Sequence, residues 1–351
     1  MNTHLSNLMQ LHYGDYYTRL VMCDWFQDNE QEDLAVWTRS LLSGERKVRS
    51  VSCGFYHTIA LTNEGKVVCW GKNNYNQCDV PEDLKDVVQI CCGFYHTMAL
   101  TADGKVIAWG SNGSNQCDVP EDLKDVVQIS CGNYHTAALT AEGKVVDWGN
   151  NQCDVPKDLN NVAQVCCGYY HTTALTNDGK VVAWGYNSDI PEDLKDIVQI
   201  SCGFSNTTAL TNDGKVVAWG ANYNNQCDVP VDLKNIVQIS CGNSHTIALT
   251  DKGKVFAWGY NSNNQCSVPK DLKDVVQISC GDSHTTALTA EGKVVTWGAN
   301  YYNQCDIPVD LKNVVQISCG HYHTTALTAE GKVFAWGYNR DNQCNVPEKL
   351  K

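Results

Sequence analysis

One pattern returns eight times along this chain of 351 residues, and it limits the fold before composition is considered. Cys-Gly pairs begin at Cys53, Cys92, Cys131, Cys167, Cys202, Cys241, Cys280 and Cys319, spaced by 39, 39, 36, 35, 39, 39 and 39 residues. Trp-Gly follows in every unit, from Trp70 to Trp336, and all eight prolines occupy one equivalent position, from Pro81 to Pro347. Periods of this length belong to solenoids and propellers, whose units bury their faces only against neighbours.

Read locally, one unit gives three short strands. Residues 87–92 are β-branched and stop at Gly93; residues 96–101 form a second run, turned by Ala102-Asp103-Gly104 into a third, residues 105–109. Glycine in that turn supplies the positive φ a short hairpin needs. An Asn-rich loop then leads through Cys-Asp-Val-Pro to the next unit. The expected fold is all-β, a propeller of eight short, mostly three-stranded blades over residues 48–351, with seven blades plus one displaced unit as the alternative. A parallel β-helix fits less well, because the strands alternate in hairpins. Neither end of the array holds a partial unit, so closure is expected from blade packing and not from a shared strand. Residues 1–47 stand outside the repeat and read as a small helical segment: residues 15–28 and 33–42 place Leu20, Val21, Trp25, Phe26, Leu34 and Leu41 at helical spacing.

The formal charge is −13, from 26 basic and 39 acidic residues, which disfavours a nucleic-acid partner. No apolar run reaches the roughly 18–20 residues of a membrane span, and the N-terminus lacks the features of a signal peptide. Nineteen cysteines are an odd number, so at least one thiol is unpaired. Fifteen fall at two repeated positions, and no Cys-x-x-Cys occurs. The expectation is reduced, structural thiols and a cytoplasmic protein.

Chemistry is weak in this sequence. His-Thr recurs at His57, His96, His135, His171, His245, His284 and His323, with Asn206 in the fifth unit. A cysteine four residues before a histidine has the makings of a thiol dyad. Seven matched copies point instead to a structural histidine, expected to hydrogen-bond backbone at a blade corner. His321 and His323 lack a third ligand, so no metal is expected, and no catalytic residue or cofactor is assigned. Ser is replaced by the first cysteine of Cys91-Cys92 and of Cys166-Cys167, a swap of small residues.

Strand order places two loops of each unit on one face of the ring, and these loops hold every tyrosine of the repeat region. The first-loop set is Tyr56, Tyr95, Tyr134, Tyr169, Tyr170 and Tyr322; the set after Trp-Gly is Tyr75, Tyr186, Tyr223, Tyr260, Tyr301, Tyr302 and Tyr338. Rigid amphipathic rings among Asn and Ser have the composition of a recognition surface. The loop between Trp and Pro spans eleven residues in most units but eight from Trp148 to Pro156 and seven from Trp184 to Pro191. That trimming predicts a notch beside Tyr134, Tyr169 and Tyr170, able to orient one partner on a near-symmetric ring.

The run Val-Val-Gln-Ile-Ser-Cys-Gly-x-x-His-Thr-x-Ala-Leu-Thr-x-x-Gly-Lys-Val-x-x-Trp-Gly resembles the repeat of the regulator-of-chromosome-condensation family over residues 48–351. Its short units, with their Asn-Gln-Cys-x-Val-Pro exit, are similar to those of bacterial propeller inhibitors of β-lactamases. The resemblance implies a non-catalytic propeller that binds another protein, here through the tyrosine face. It also implies an alternative, guanine-nucleotide exchange on a small GTPase, although no unit carries the inserted wedge such factors use. A third reading is a structural subunit of a larger assembly.

Overall fold

The computed structural model describes residues 47–150, 154–186, 188–192 and 194–351. The helical segment expected over residues 1–47 falls, except for Lys47, outside them. The described residues form eight three-stranded antiparallel sheets, each built from consecutive strands of one unit. Blades 1 to 8 begin with the strands Val48–Cys53, Val87–Cys92, Val126–Cys131, Val162–Cys167, Ile197–Cys202, Ile236–Cys241, Val275–Cys280 and Val314–Cys319. Their Cys-Gly ends surround one axial opening, so the first strand of every blade is the inner one.

The hairpin from middle to outer strand closes as its sequence demands. In blade 1 the Thr62 N–H donates to the Lys66 carbonyl at 2.9 Å, and Gly65 takes φ 74°. The Gly65 carbonyl then accepts the N–H of Val87, the first residue of the next blade, at 3.0 Å. The turn glycine thus stitches neighbouring blades as well as reversing the chain.

Apolar layers lie between blades. Ile59 and Leu61 of blade 1 pack with Val87, Ile90, Ala99 and Trp109 of blade 2. Blades 8 and 1 repeat the arrangement: Val314, Ile317, Val346 and Leu350 pack with Val48, Val51 and Trp70. The ring therefore closes with eight blades and no shared strand. Glutamines of the inner strands reinforce it. The Gln89 carboxamide donates to the Ile129 carbonyl at 3.2 Å and accepts the Ile129 N–H at 3.0 Å. Across the closure Gln316 bridges Val51 in the same way, at 3.4 and 3.3 Å.

Candidate partner-binding face

Most blade junctions are locked by a polar relay, and the relay sets what the face above it can do. Thr97 donates its hydroxyl to the Gln77 carbonyl at 2.8 Å, and its oxygen accepts the Nε2–H of His57 at 3.0 Å. The Trp109 indole N–H donates to the same carbonyl at 3.0 Å. At the closure His323, Thr58, Trp70 and the Gln343 carbonyl repeat this with distances of 2.9, 3.2 and 2.9 Å. The histidine was expected to bond backbone at a blade corner; its partner is instead the threonine of the following blade.

Among the described residues no cysteine and histidine of a unit pair as a dyad. The Cys53 Sγ lies against the Ser318 carbonyl and Thr325 of blade 8, whereas the His57 ring faces blade 2. Burial pushes the Cys53 thiol up to about 12 and the His57 ring down to about 4, so neither partner carries its reactive charge near neutrality. His321 and His323 also diverge: His321 Nε2 meets Asp282 Oδ1 at 2.8 Å, while His323 Nε2 meets Thr58. The sulfur of Cys91 accepts the Cys131 N–H at 3.1 Å where Ser201 Oγ accepts that of Cys241, also at 3.1 Å. The cysteine-for-serine swap is one of acceptors.

The two loop sets do share a face. Tyr75 lies 5.0 Å from Tyr95, and Tyr302 lies 5.2 Å from Tyr322 and 5.0 Å from Tyr338 (centroid distances). Tyr56 joins Tyr95 at 6.1 Å and Tyr338 at 5.9 Å. Phe94 carries the chain of rings to Tyr134 and Tyr169, at 6.1 and 6.2 Å, and Tyr170 stacks at 6.5 Å on Tyr134. Tyr186, Tyr223, Tyr260 and Tyr301 stand outside this belt; Tyr223 is 88% and Tyr301 76% exposed, the latter donating to Asn263 Oδ1 at 2.7 Å. Partial burial, with neighbouring phenols and, for Tyr322, Asp282, pushes Tyr95, Tyr169 and Tyr322 up to about 12, so these three phenols keep their protons.

The phenylalanines were missed in the sequence reading. The residue after each Cys-Gly lines the axial mouth: Phe55, Phe94, Asn133, Tyr169, Phe204, Asn243, Asp282 and His321. Phe55 stacks on His321 at 3.5 Å and lies tilted against Phe94 at 3.8 Å, as Tyr169 does against Phe204 at 3.9 Å. Burial favours a neutral Asp282, but donation from His321, Ser283 and Asn243 outweighs it and holds the carboxyl below its ordinary value. The following position is Tyr in blades 1 to 4 and 8, and Ser205, Ser244 and Ser283 in blades 5 to 7. Aligning the units on Cys-Gly shows both columns. The face is therefore divided into an aromatic arc and a serine arc, with Lys72 Nζ 4.7 Å from the Tyr56 ring centre and 5.2 Å from that of Tyr95. The trimmed loops open at one border of the arcs: a cleft of 610 Å³ lies among Tyr170, Tyr186, Phe204, Tyr223 and Ser244.

Residues 154–350 match the RCC1-like domain, and residues 48–77, 87–116 and 126–154 match the regulator of chromosome condensation (RCC1) repeat. An RCC1 repeat-containing protein of Dictyostelium discoideum is 40% identical over 55 residues, 15% of this chain and 11% of that protein. The guanine nucleotide exchange factor SRM1 of Saccharomyces cerevisiae is 44% identical over 43 residues, 12% of this chain and 9% of that protein. The crystal structure of yeast RCC1 (Prp20) bound to Kap60 superposes with a TM-score of 0.54 at 18% identity, covering 89% of this chain and 84% of that one. With eight blades carrying its motif and more than half the chain matched by its domain, this protein belongs to the regulator of chromosome condensation repeat family.

Proposed function

We propose that this propeller is a non-catalytic binding module that holds another protein against its aromatic arc. The observation that carries the reading is the arc itself: first-loop tyrosines, joined ring to ring with Phe94 across blades 8 and 1 to 4, give way to serine at the same position in blades 5 to 7. A ring of equivalent blades offers equivalent registers, and this division leaves one. Half-buried rings held by neighbours lose little entropy on docking, which suits them as anchors. All thirteen tyrosines belong to the proposed surface, with the belt as its centre and Tyr186, Tyr223, Tyr260 and Tyr301 as its rim.

Tyr134→Ala or Tyr170→Ala is expected to lower partner affinity about 30-fold, roughly 2 kcal/mol, in quantitative capture from the native host. Lys105→Ala and Lys144→Ala, in the hairpin turns of the opposite face, are expected to change it little. Equal losses from both faces would remove the reading. The reading also takes the thiols as reduced and the protein as cytoplasmic; among the described residues no helix is long and apolar enough to cross a membrane.

The exchange factor among the relatives favours a second reading, in which the partner is a small GTPase. Accelerated release of a fluorescent GDP analogue from a host GTPase would support it, and unchanged release at equimolar propeller would count against it.

A further inference from the structure

Four of the nineteen cysteines fall outside the two repeated positions: Cys23, Cys69, Cys91 and Cys166. Cys23 lies outside the described residues. The sulfurs of Cys91 and Cys166 each accept a backbone N–H of the next blade, from Cys131 at 3.1 Å and from Cys202 at 3.2 Å. Cys69 serves no junction in this way. It stands on the outer strand of blade 1, Val67–Gly71. The same position is Ala in blades 2, 4, 5, 6 and 8, Asp147 in blade 3 and Thr296 in blade 7.

Its side chain meets the loop cysteine of its own unit. The Cys69 thiol donates to Cys78 Sγ at 3.0 Å, and its sulfur lies 3.4 Å from the Gln77 carbonyl. The loop itself is the standard one. Cys78 Sγ rests on the Lys72 carbonyl at 3.4 Å, as Cys117, Cys227, Cys266, Cys305 and Cys344 rest on the matching carbonyls of their own loops at 3.2–3.3 Å. One substitution on the facing strand therefore brings a second sulfur to a thiol that the fold already holds.

The backbone around the pair is fixed. Gly71 turns the chain at φ 112°, the Cys78 N–H donates to Asn73 Oδ1 at 2.7 Å, and Asn73 Nδ2 donates to Asp79 Oδ1 at 2.7 Å. An S–S bond is about 2.05 Å long, so closure asks the sulfurs to approach by about 1 Å, a side-chain movement. Both cysteines are half-buried, and Asn73, Asn74, Tyr75, Asn76 and Asp79 around Cys78 are exposed. A small oxidant therefore meets Cys78 at the surface.

We propose that Cys69 and Cys78 form a redox-modification site that takes hydrogen peroxide and closes to a disulfide within blade 1. Cys78 sulfur attacks one peroxide oxygen and the O–O bond breaks; the departing hydroxide leaves as water with the Cys78 proton. Cys69 sulfur then attacks the Cys78 sulfenic acid, the S–S bond forms, the S–O bond breaks, and the second hydroxide leaves as water with the Cys69 proton. Two thiols are oxidised by two electrons and one peroxide is reduced to two waters. Burial, with the adjacent Cys78, pushes the Cys69 thiol well above its ordinary value, so it keeps that proton until it attacks. The bond ties down the loop that carries Tyr75, 5.0 Å from Tyr95, and Gln77, whose carbonyl accepts from Thr97 and Trp109. Thiol exchange in a reducing compartment reopens it. The inference needs no partner and stands apart from the protein-binding reading.

Lys72 separates the two cysteines, so tryptic peptides 67–72 and 73–85 carry one each. Reduced full-length protein is treated with hydrogen peroxide, blocked with N-ethylmaleimide and digested without reductant. The expected product is these two peptides joined, lighter than their sum by two hydrogens, with two alkylatable thiols lost per chain and both restored by dithiothreitol. Amide hydrogen exchange over residues 72–78 is expected to slow on oxidation. Cys69→Ala, which installs the residue of five other blades, is expected to melt like the wild type under reductant. It should form no joined peptide and leave Cys78 as a sulfenic acid that dimedone traps. Full alkylation of both wild-type thiols at millimolar peroxide would overturn the proposal. So would a cystine joining either residue to Cys92 ahead of the expected one, or unchanged exchange in the loop after closure.

Discussion

Acidification is expected to unfold this domain between about pH 4.5 and 5.5, well above the range in which exposed carboxylates alone would do so. Burial holds His57, His171 and His245 down to about 4 and His96, His284 and His323 down to about 3, and it lowers His135 as well. Each ring is neutral in the folded ring and charges near 6.5 once unfolded. The unfolded chain therefore binds more protons than the folded one between those values, and stability falls as pH falls through 6.5. The loss stops growing only below the folded values. Well inside this window each histidine costs about 1.4 kcal/mol per pH unit, and the six held at about 3 or 4 together cost roughly 8 kcal/mol per unit. An ordinary domain holds about 5–15 kcal/mol, so one to two units are enough.

Tryptophan fluorescence and the melting temperature across pH 7 to 4 provide the measurement. The fifth unit supplies the control, since Asn206 fills the histidine position there without a titrating group. Converting two or three histidines to Asn should move the midpoint to lower pH even if stability at pH 7 declines. A cooperative melt retained at pH 4 by the unaltered protein would show that the rings accept protons in place.

Those histidines also mark where the sequence stopped being legible. Period, strand number, hairpin turns and the shared face of two loop sets all follow from spacing and alternation, because they depend on contacts within a unit. The relay depends on contacts between units. His57 precedes Thr58 in the chain, yet its partner is Thr97, and Thr58 serves His323 from the far end of the array. Gln89 reads as an ordinary strand residue until the neighbouring blade brings Ile129 within reach of its carboxamide. The tyrosines were found because a polar tip on a loop is conspicuous. Phe55, Phe94 and Phe204 were passed over because a lone apolar residue beside a strand end reads as core. Loop lengths announced the notch, but only three-dimensional comparison of the eight junctions exposes Trp219 as the donor left without a carbonyl.

Gly93→Ala is expected to destabilise the domain by about 3 kcal/mol, and Gly113→Ala, one methyl group elsewhere in the same unit, by less than about 0.5 kcal/mol. A Cβ at residue 93 would stand 2.1 Å from His96 Cε1, 2.4 Å from Nδ1 and 2.8 Å from the Gly132 carbonyl oxygen of the next blade. Neither neighbour can yield cheaply. The His96 ring is fully buried and its Nε2 is bonded to Thr136 at 3.1 Å, while Gly132 is backbone. Rotating the ring breaks the relay, and moving the backbone separates two blades. Residue 113 lies in an open loop, where an added Cβ meets nothing within 4 Å. Thermal melts should separate the two variants by roughly 4–5 °C. Adding His96→Asn to Gly93→Ala should recover only part of the loss. In the fifth unit, where Asn206 already replaces histidine, a Cβ on Gly203 would still lie 2.6 Å from the Gly242 carbonyl oxygen. The Cys-Gly pair thus persists in that unit without its histidine because the close approach of the next blade demands it. Equal melting temperatures for Gly93→Ala and Gly113→Ala would mean that the junctions are looser than these distances require.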